Sequence, residues 1–384
     1  MYSAQQLHLV LPSSELSERN GSAILRVASE LSAAAERRGT VTTIGCGINK
    51  LRDPHLGVAM ITPPPTWTKT IPGVFLDALW KLVAGHTAFA PKYDATKLSG
   101  VTDVFVHNQP WLGNHVRRAF PHARIHLYVH NRVMTKARPW AIRNRLGEFD
   151  SVVCVSQFLL NDLYRRSRIK NPVERTNLKL VQNGIDVDKF RSLSSDKNEF
   201  DIVYVGRIVR EKGVHVLADA VRKIASTRPV SIRLVGGKGF LPTDSVSKYE
   251  QKVISALTGP NIRLDVTGPV PPGEVPHLVN GCRTWVVPSI WQEPFGLVLL
   301  EAMASHTAPI ATRVGGMTEV GTSSGVTFVE PSDSQELADA ILGLLDDSAR
   351  ADTSVISSRL KAEQHTWAHA YGELEKVINW SSRL

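Results

Sequence analysis

Short apolar runs alternate with amphipathic stretches along the whole chain, the pattern of βα units laid around a parallel sheet. In the first half, Leu7–Leu11, Val41–Ile44, Val104–Val106, Ile125–Val129 and Ser151–Val155 are apolar runs of strand length. Ala23–Arg38 sets Ile24, Leu25, Val27, Ala28 and Leu31 at helical spacing, and Phe158–Arg166 is a second helical stretch. The Pro-rich segment Thr62–Thr66 predicts a loop. Ile71–Val83 predicts a helix, with Val74, Phe75, Leu79, Leu82 and Val83 facing either the core or a membrane. After the polar stretch Ser192–Asn198, a candidate linker, a second series of strands begins. It comprises Asp201–Val205, Ser231–Val235, Arg263–Val266, Thr284–Val287 and Pro309–Thr312, with helices over Val214–Ile224 and Ser245–Leu257. Helices over Ser334–Leu345 and Trp367–Trp380 close the chain, and no internal repeat of fixed period is visible. The pattern predicts an α/β protein of two open-sheet domains in tandem.

Composition narrows this picture. A length of 384 residues suits about two domains, and 42% hydrophobic with 21% charged residues is ordinary for a folded soluble chain. No apolar run approaches the roughly 20 residues of a membrane span. Met1 to Pro12 lacks the charged start and apolar core of a secretory signal. Cys46, Cys154 and Cys282 are widely spaced and odd in number, which suits neither a disulfide framework nor a zinc cluster. The expectation is a cytoplasmic protein.

The net charge of +9 is unevenly spread: residues 1–200 carry +11 and residues 201–384 carry −2. The segment from Val104 to Gly147 holds Arg117, Arg118, Arg124, Arg132, Lys136, Arg138, Arg143 and Arg145 and no acid, interleaved with His107, Trp111, His115, His122 and Trp140. It is either a solvated basic face or a surface for an anionic partner, such as a lipid diphosphate or an anionic membrane. No recognition helix or stacking motif accompanies it, which argues against nucleic acid.

In open parallel sheets, ligands sit beyond the carboxyl ends of the strands, where helix N-termini present free N–H groups. Three strand ends in the second half qualify. Gly206-Arg207, with Lys212-Gly213 opening the next helix, offers close backbone approach and two cations, although a Gly-Arg pair also fits an ordinary turn. Gly236-Gly237 follows another strand and lacks the third glycine of a dinucleotide fingerprint. The third runs from Pro288 to Glu301, with Glu293 in a loop suited to a sugar hydroxyl and Glu301 on a helix suited to ribose hydroxyls. Gly296 and Leu297 lie at that helix's N-terminus. Spacing alone leaves open that both carboxylates are merely solvated.

Glu293-Pro294-Phe295-Gly296-Leu297 through Glu301, followed by Val314-Gly-Gly-Met-Thr-Glu319, resembles the Glu-x7-Glu region of retaining glycosyltransferases of family four. The resemblance continues through Val181–Asp186, Gly206-Arg207 with Lys212-Gly213, Val153–Ser156, and Leu127–His130. It implies the GT-B fold, two Rossmann-like domains facing across a cleft: residues 1–190 for the acceptor, 191–364 for the nucleotide sugar, and 365–384 packing back on the first. It also implies transfer of a sugar from a nucleotide diphosphate sugar to a glycan, lipid-linked or small-molecule acceptor, with retention, as in bacterial envelope or spore-coat polysaccharide synthesis.

Under this resemblance Arg207 and Lys212 neutralise the leaving diphosphate, Glu293 and His130 contact the sugar, and Glu301 holds the ribose. Gly21, Ser22, Gly206, Gly236, Pro294, Phe295, Gly296 and Leu297 complete the donor site. Neither a metal nor a cofactor is expected, and the protein is expected to be cytoplasmic, with docking at the inner face of the membrane. Competing readings are a GT-B-fold epimerase or phosphorylase and a non-catalytic binder of sugar nucleotides or lipids. Two positions depart from the family pattern. His306 and Ala308 stand where the family has Gly and Pro, so either His306 takes a left-handed backbone or the turn differs. Asn20-Gly21 stands where paired glycines are common.

Overall fold

A computed structural model describes residues 5–10, 15–16, 22–46, 48–49, 57–60, 98, 100–169, 177–191, 199–239 and 246–381. The loop Thr62–Thr66, the helix expected over Ile71–Val83, the linker Ser192–Asn198 and Gly21 lie outside the described residues. The chain forms two units: Ser22–Gln182 with the strand Gln5–Val10 and the helix Trp367–Ser381, and Asn183–Thr366.

The first unit is built on strands β1 (Gln5–Val10), β2 (Val41–Cys46), β3 (Gly57–Met60), β4 (Asp103–His107), β5 (Arg124–Val129), β6 (Ser151–Cys154) and β7 (Leu178–Leu180). They form one sheet in the order β3-β2-β1-β4-β5-β6-β7, with every described pairing parallel. Every residue of β4 and β6 is buried, as expected for a parallel sheet covered on both faces. The helix Ala23–Glu36 buries Leu25, Val27, Ala28 and Leu31, the period-3.6 set read from the sequence. The helix Trp367–Ser381 returns to this unit. Its Tyr371 hydroxyl accepts from Gln6 Nε2 at 3.0 Å and donates to Thr40 Oγ1 at 3.2 Å, and Glu375 pairs with Arg38.

The second unit holds β8 (Phe200–Val205), β9 (Val230–Val235), β10 (Ile262–Gly268), β11 (Cys282–Val287), β12 (Ala308–Thr312) and β13 (Thr327–Val329), again parallel, in the order β10-β9-β8-β11-β12-β13. Ile202, Ile232 and Ile310 from the sheet join Leu217 and Val221 of helix Val214–Ala225 and Leu337 and Ile341 of helix Ser334–Leu345 in one core. Each such side chain contributes about 1.5–3 kcal/mol by leaving water.

The structure adds strands that periodicity does not reveal. β3, β7 and β13 are edge strands of three or four residues, too short for an alternation to register. The helix Ser348–Ala362 is likewise unexpected. It buries Ser354, Ser358 and Ala362 while Ile356 and Leu360 stay exposed, so its buried stripe is small rather than apolar. The helix expected from Ser245 begins at Lys248, because Ser247 and Glu250 close a reciprocal capping box.

Candidate active site

The carboxyl ends of β8, β9 and β10 are stitched together beyond their ladders. Gly206 N donates to Val235 O at 2.9 Å, Gly236 N to Gly268 O at 3.0 Å, and Ile208 N to Gly237 O at 2.8 Å. Arg207 is exposed on this shelf, and its carbonyl accepts from the Tyr204 hydroxyl at 2.6 Å. Burial, reinforced by the charge of Glu293, holds the Tyr204 phenol well above its ordinary range, so it stays a neutral donor. A single turn, Arg210–Lys212, leads to Gly213, which adopts φ +68°. A Cβ there would stand 1.8 Å from Pro288 O, so the turn can lie this close to the end of β11 only with glycine.

Two further contacts fasten the acidic loop to that cationic turn. Ile290 N donates to Glu211 O at 3.0 Å, and Lys212 Nζ lies 2.6 Å from Glu293 Oε1. The same carboxylate oxygen accepts from Ser289 Oγ at 2.5 Å. Glu293 is only 6% exposed, so the ammonium and hydroxyl replace lost water; each charge-assisted bond is worth about 1.5–3 kcal/mol. On its other side, Gly316 N donates to Glu293 O at 2.7 Å, Gly315 N donates to Gln292 Oε1 at 3.0 Å, and Thr312 Oγ1 donates to Ser289 O at 2.5 Å. A Cβ on Gly315 would meet Glu293 O at 2.1 Å, so the segment after β12 braces the loop by close backbone packing.

Pro294 and Phe295 are buried, Gly296 is the N-cap of helix Leu297–Ala304, and Glu301 lies buried just over one turn inside it. The departure at His306 is resolved by a different turn. Ser305 ends the helix in extended conformation, its hydroxyl donating to Ala302 O at 2.7 Å and accepting from Thr307 N at 3.2 Å. No left-handed residue is needed there, and the exposed His306 lies 2.9 Å from Arg359 (Nε2 to Nη1).

In the first unit, Ser22 precedes helix Ala23–Glu36 in extended conformation, and His130 follows β5. Asn108, left-handed at φ 55°, turns its Oδ1 to accept from the backbone N–H of His130 at 2.8 Å and of Asn131 at 3.2 Å. His107 lies 2.7 Å from His130 (Nδ1 to Nε2) and 3.0 Å from His8 (Nε2 to Nδ1), all three rings being buried. Burial, aided by the neighbouring ring charges, pushes His8 and His130 down to about 3 and His107 well below its ordinary value. The sequence reading had not connected these residues. Its available signal was the two-residue spacing of Phe105 and His107, and of His126, Tyr128 and His130, which sets each series on one sheet face. Gln292, Thr312 and Asn108 carried no such signal, because each acts through a partner more than twenty residues away, and the short-range bonds of Tyr204 and Ser289 follow no spacing rule.

The basic segment is less free than its composition implies. Arg117 pairs with Asp150, Arg124 with Asp103, Arg132 with Asp162 and Arg145 with Glu148, while Arg143 donates to Ser167 O. Asp103 shows the balance: burial alone would raise its pKa, but hydrogen bonds from His126 and Arg124 outweigh it and hold it below the ordinary value. Arg118, Lys136 and Arg138 remain exposed, and Trp140 is 53% exposed.

Comparison with known proteins identifies this architecture. Residues 187–359, which contain the whole Lys212–Glu293 cluster, match the model of the family "Glycosyl transferases group 1". The match covers most of the second unit, so that part of the chain is similar to glycosyl transferases group 1. It is 29% identical over 252 residues to the alpha-maltose-1-phosphate synthase of Mycolicibacterium smegmatis, covering 60% of this chain and 63% of that protein. It is 22% identical to the lipopolysaccharide 1,2-N-acetylglucosaminetransferase of Salmonella typhimurium over 72% of each chain. A glycosyltransferase from Rickettsia africae superposes with a TM-score of 0.74 at 17% identity, covering 100% of this chain and 99% of that one. Anabaena HepE, solved in complex with UDP and glucose, gives 0.70 at 18% identity over 99% of both chains. These superpositions show that the chain has the GT-B fold.

The buried imidazoles make stability depend on pH. Their folded pKa values lie below the ordinary 6.5, so stability is full above that value and falls as pH drops from 6.5 toward about 3, where the unfolded chain takes up protons that the native chain refuses. At about pH 5 each of His8 and His130 should remove about 2 kcal/mol. Urea melts at pH 7 and pH 5 measure this, and equal stabilities would contradict the buried neutral assignment.

Proposed function

We propose that the protein transfers a sugar from a nucleotide diphosphate sugar to a glycan, lipid-linked or small-molecule acceptor, with retention, in polysaccharide or glycoconjugate synthesis. The observation that carries this reading is the Lys212–Glu293–Ser289 cluster at the carboxyl edge of a parallel sheet, inside the group 1 stretch. Named relatives act on sugars, and HepE was solved with UDP and glucose, which supports the donor class.

In this reading the donor binds the second unit. Lys212 and Arg207 meet the diphosphate, whose negative charge grows as the glycosidic bond breaks, so their stabilisation acts mainly in the transition state. Lys212 is already held by Glu293, and therefore loses little conformational freedom when the phosphate arrives. Glu293 accepts from a donor-sugar hydroxyl, Glu301 from ribose hydroxyls, and His130 engages a sugar hydroxyl. Gly206, Gly236 and Gly296 allow close backbone approach, beside Pro294, Phe295 and Leu297, with Gly21 and Ser22 contributing from the first strand-to-helix connection. No protein base is assigned, because the departing phosphate can take the acceptor proton. The reaction is expected to proceed without a metal or cofactor, so a chelator should leave the rate unchanged.

Glu301→Ala should weaken nucleotide binding about tenfold or more, whereas Glu293→Ala should chiefly lower kcat. Lys212→Ala should lower kcat more than it changes KM, and should also destabilise the unit by about 1–3 kcal/mol by leaving the Glu293 carboxylate without its cation. Kinetics with release of the nucleoside diphosphate as readout check all three. Wild-type behaviour in the Glu293 and Lys212 variants would displace the site, and sugar interconversion without diphosphate release would point to an epimerase.

Among the described residues no helix is long and apolar enough to cross a membrane. Docking of the first unit on an anionic membrane or lipid acceptor is assigned to the exposed Arg118, Lys136, Arg138 and Trp140, at about 1 kcal/mol per basic residue near the surface. Reversing the three cations to Glu should abolish co-sedimentation with anionic vesicles at low salt and spare nucleotide binding. Equal sedimentation with neutral and anionic vesicles would remove the electrostatic basis.

A further inference from the structure

His8, His107 and His130 stand on β1, on β4 and just past β5, three neighbouring strands of the first sheet. The rings form a line, with His8 Nδ1 3.0 Å from His107 Nε2 and His107 Nδ1 2.7 Å from His130 Nε2. The last two are within 7° of parallel, and Tyr128 lies nearly parallel to both, at 5.3 Å from His107 and 4.8 Å from His130. Phe105 stacks on His8 with its centroid at 4.8 Å and separates it from His126, whose two nitrogens are taken up by Asp103 and Ser151. The two outer nitrogens of the line, His8 Nε2 and His130 Nδ1, are buried and have no hydrogen-bond partner among the described residues.

Burial keeps all three rings neutral, so each carries one N–H. Each N···N contact needs one proton, and only two arrangements then satisfy both contacts: every ring protonated at Nδ1, or every ring protonated at Nε2. The three tautomers therefore change together or not at all. The first arrangement leaves a lone pair at His8 and an N–H at His130; the second leaves an N–H at His8, in the middle of β1, and a lone pair at His130. A buried N–H without an acceptor is rarer in folded proteins than an unsatisfied acceptor. At His8, in the middle of β1, no acceptor stands among the described residues; His130 stands just past the carboxyl end of β5, the edge at which open parallel sheets take ligands.

We infer that His8 and His107 are positioning residues that lock His130 in the Nδ1–H tautomer, so that His130 donates to, rather than accepts from, a substrate oxygen. The final hydrogen bond rests on the sugar-transfer reading above, whereas the linked tautomers do not.

Imidazole nitrogen NMR of the full chain with 15N-labelled histidine tests the linkage without any ligand, the signals being assigned by single His→Phe variants. The native protein should show His8, His107 and His130 as neutral Nδ1–H rings, and His107→Phe should release His130 into a tautomer mixture. An Nε2–H or protonated His130 in the native chain overturns the inference, as does a His130 spectrum unchanged by His107→Phe. Should that variant not fold, the native spectrum alone decides. With a donor that the enzyme turns over, His107→Phe should lower kcat about tenfold, the loss expected for one hydrogen bond of about 1.4 kcal/mol in the transition state, at near-native KM. Unchanged kcat would overturn the donating role. Absence of turnover with every donor would instead fail the sugar-transfer reading and leave the tautomer result standing.

Discussion

Glu293 is a carboxylate removed from water, and the organisation of the second unit follows from holding it there. Its side chain needs a cation and a donor, which Lys212 and Ser289 supply to one oxygen. Bringing Lys212 that close requires a turn that touches the end of β11, and the glycine at 213 makes the contact sterically feasible. Its backbone needs a brace, which Gly315 and Gly316 provide from the segment after β12. Two connections distant in sequence therefore converge on one acidic loop, and loss of either would leave an ionised group partly desolvated without its partners.

The first unit solves a different problem with the same physics. A row of rings paves one face of its central strands, and the imidazoles among them are buried from bulk solvent. They bond to one another instead, so the protonation of each depends on the next. His126 stacks on Phe105 in the same row but gives its two nitrogens to Asp103 and Ser151. The arrangement costs stability in acid and gives His130 a defined hydrogen-bonding polarity at neutral pH.

Charge along the chain was a poorer guide than chemistry at the strand ends. The segment from Val104 to Gly147 has no acid of its own, yet Asp103, Glu148, Asp150 and Asp162 meet four of its arginines. Three of those acids lie within three residues of the segment's ends, just outside the window that made it look unopposed. What remains exposed for an outside partner is Arg118, Lys136, Arg138 and Trp140.

The sequence by itself determined the class of fold, because buried parallel strands must be apolar runs and their helices must carry a period of 3.6 residues, both local properties. It also determined the neighbourhood of the second-unit chemistry, since Glu293, Gly296 and Glu301 lie on one short strand-to-helix connection. Tertiary structure alone decided the partners. Lys212 meets Glu293 across 81 positions, and His8 meets His107 across 99, distances over which no spacing rule operates. It decided the edge strands β3, β7 and β13 as well, whose few residues are fixed by the neighbour they pair with rather than by any pattern of their own. After the Glu301 helix the sequence left open a left-handed His306 or a different turn, and two bonds of the Ser305 hydroxyl make the different turn, since a helix end needs its polar groups satisfied and not one particular residue to do so.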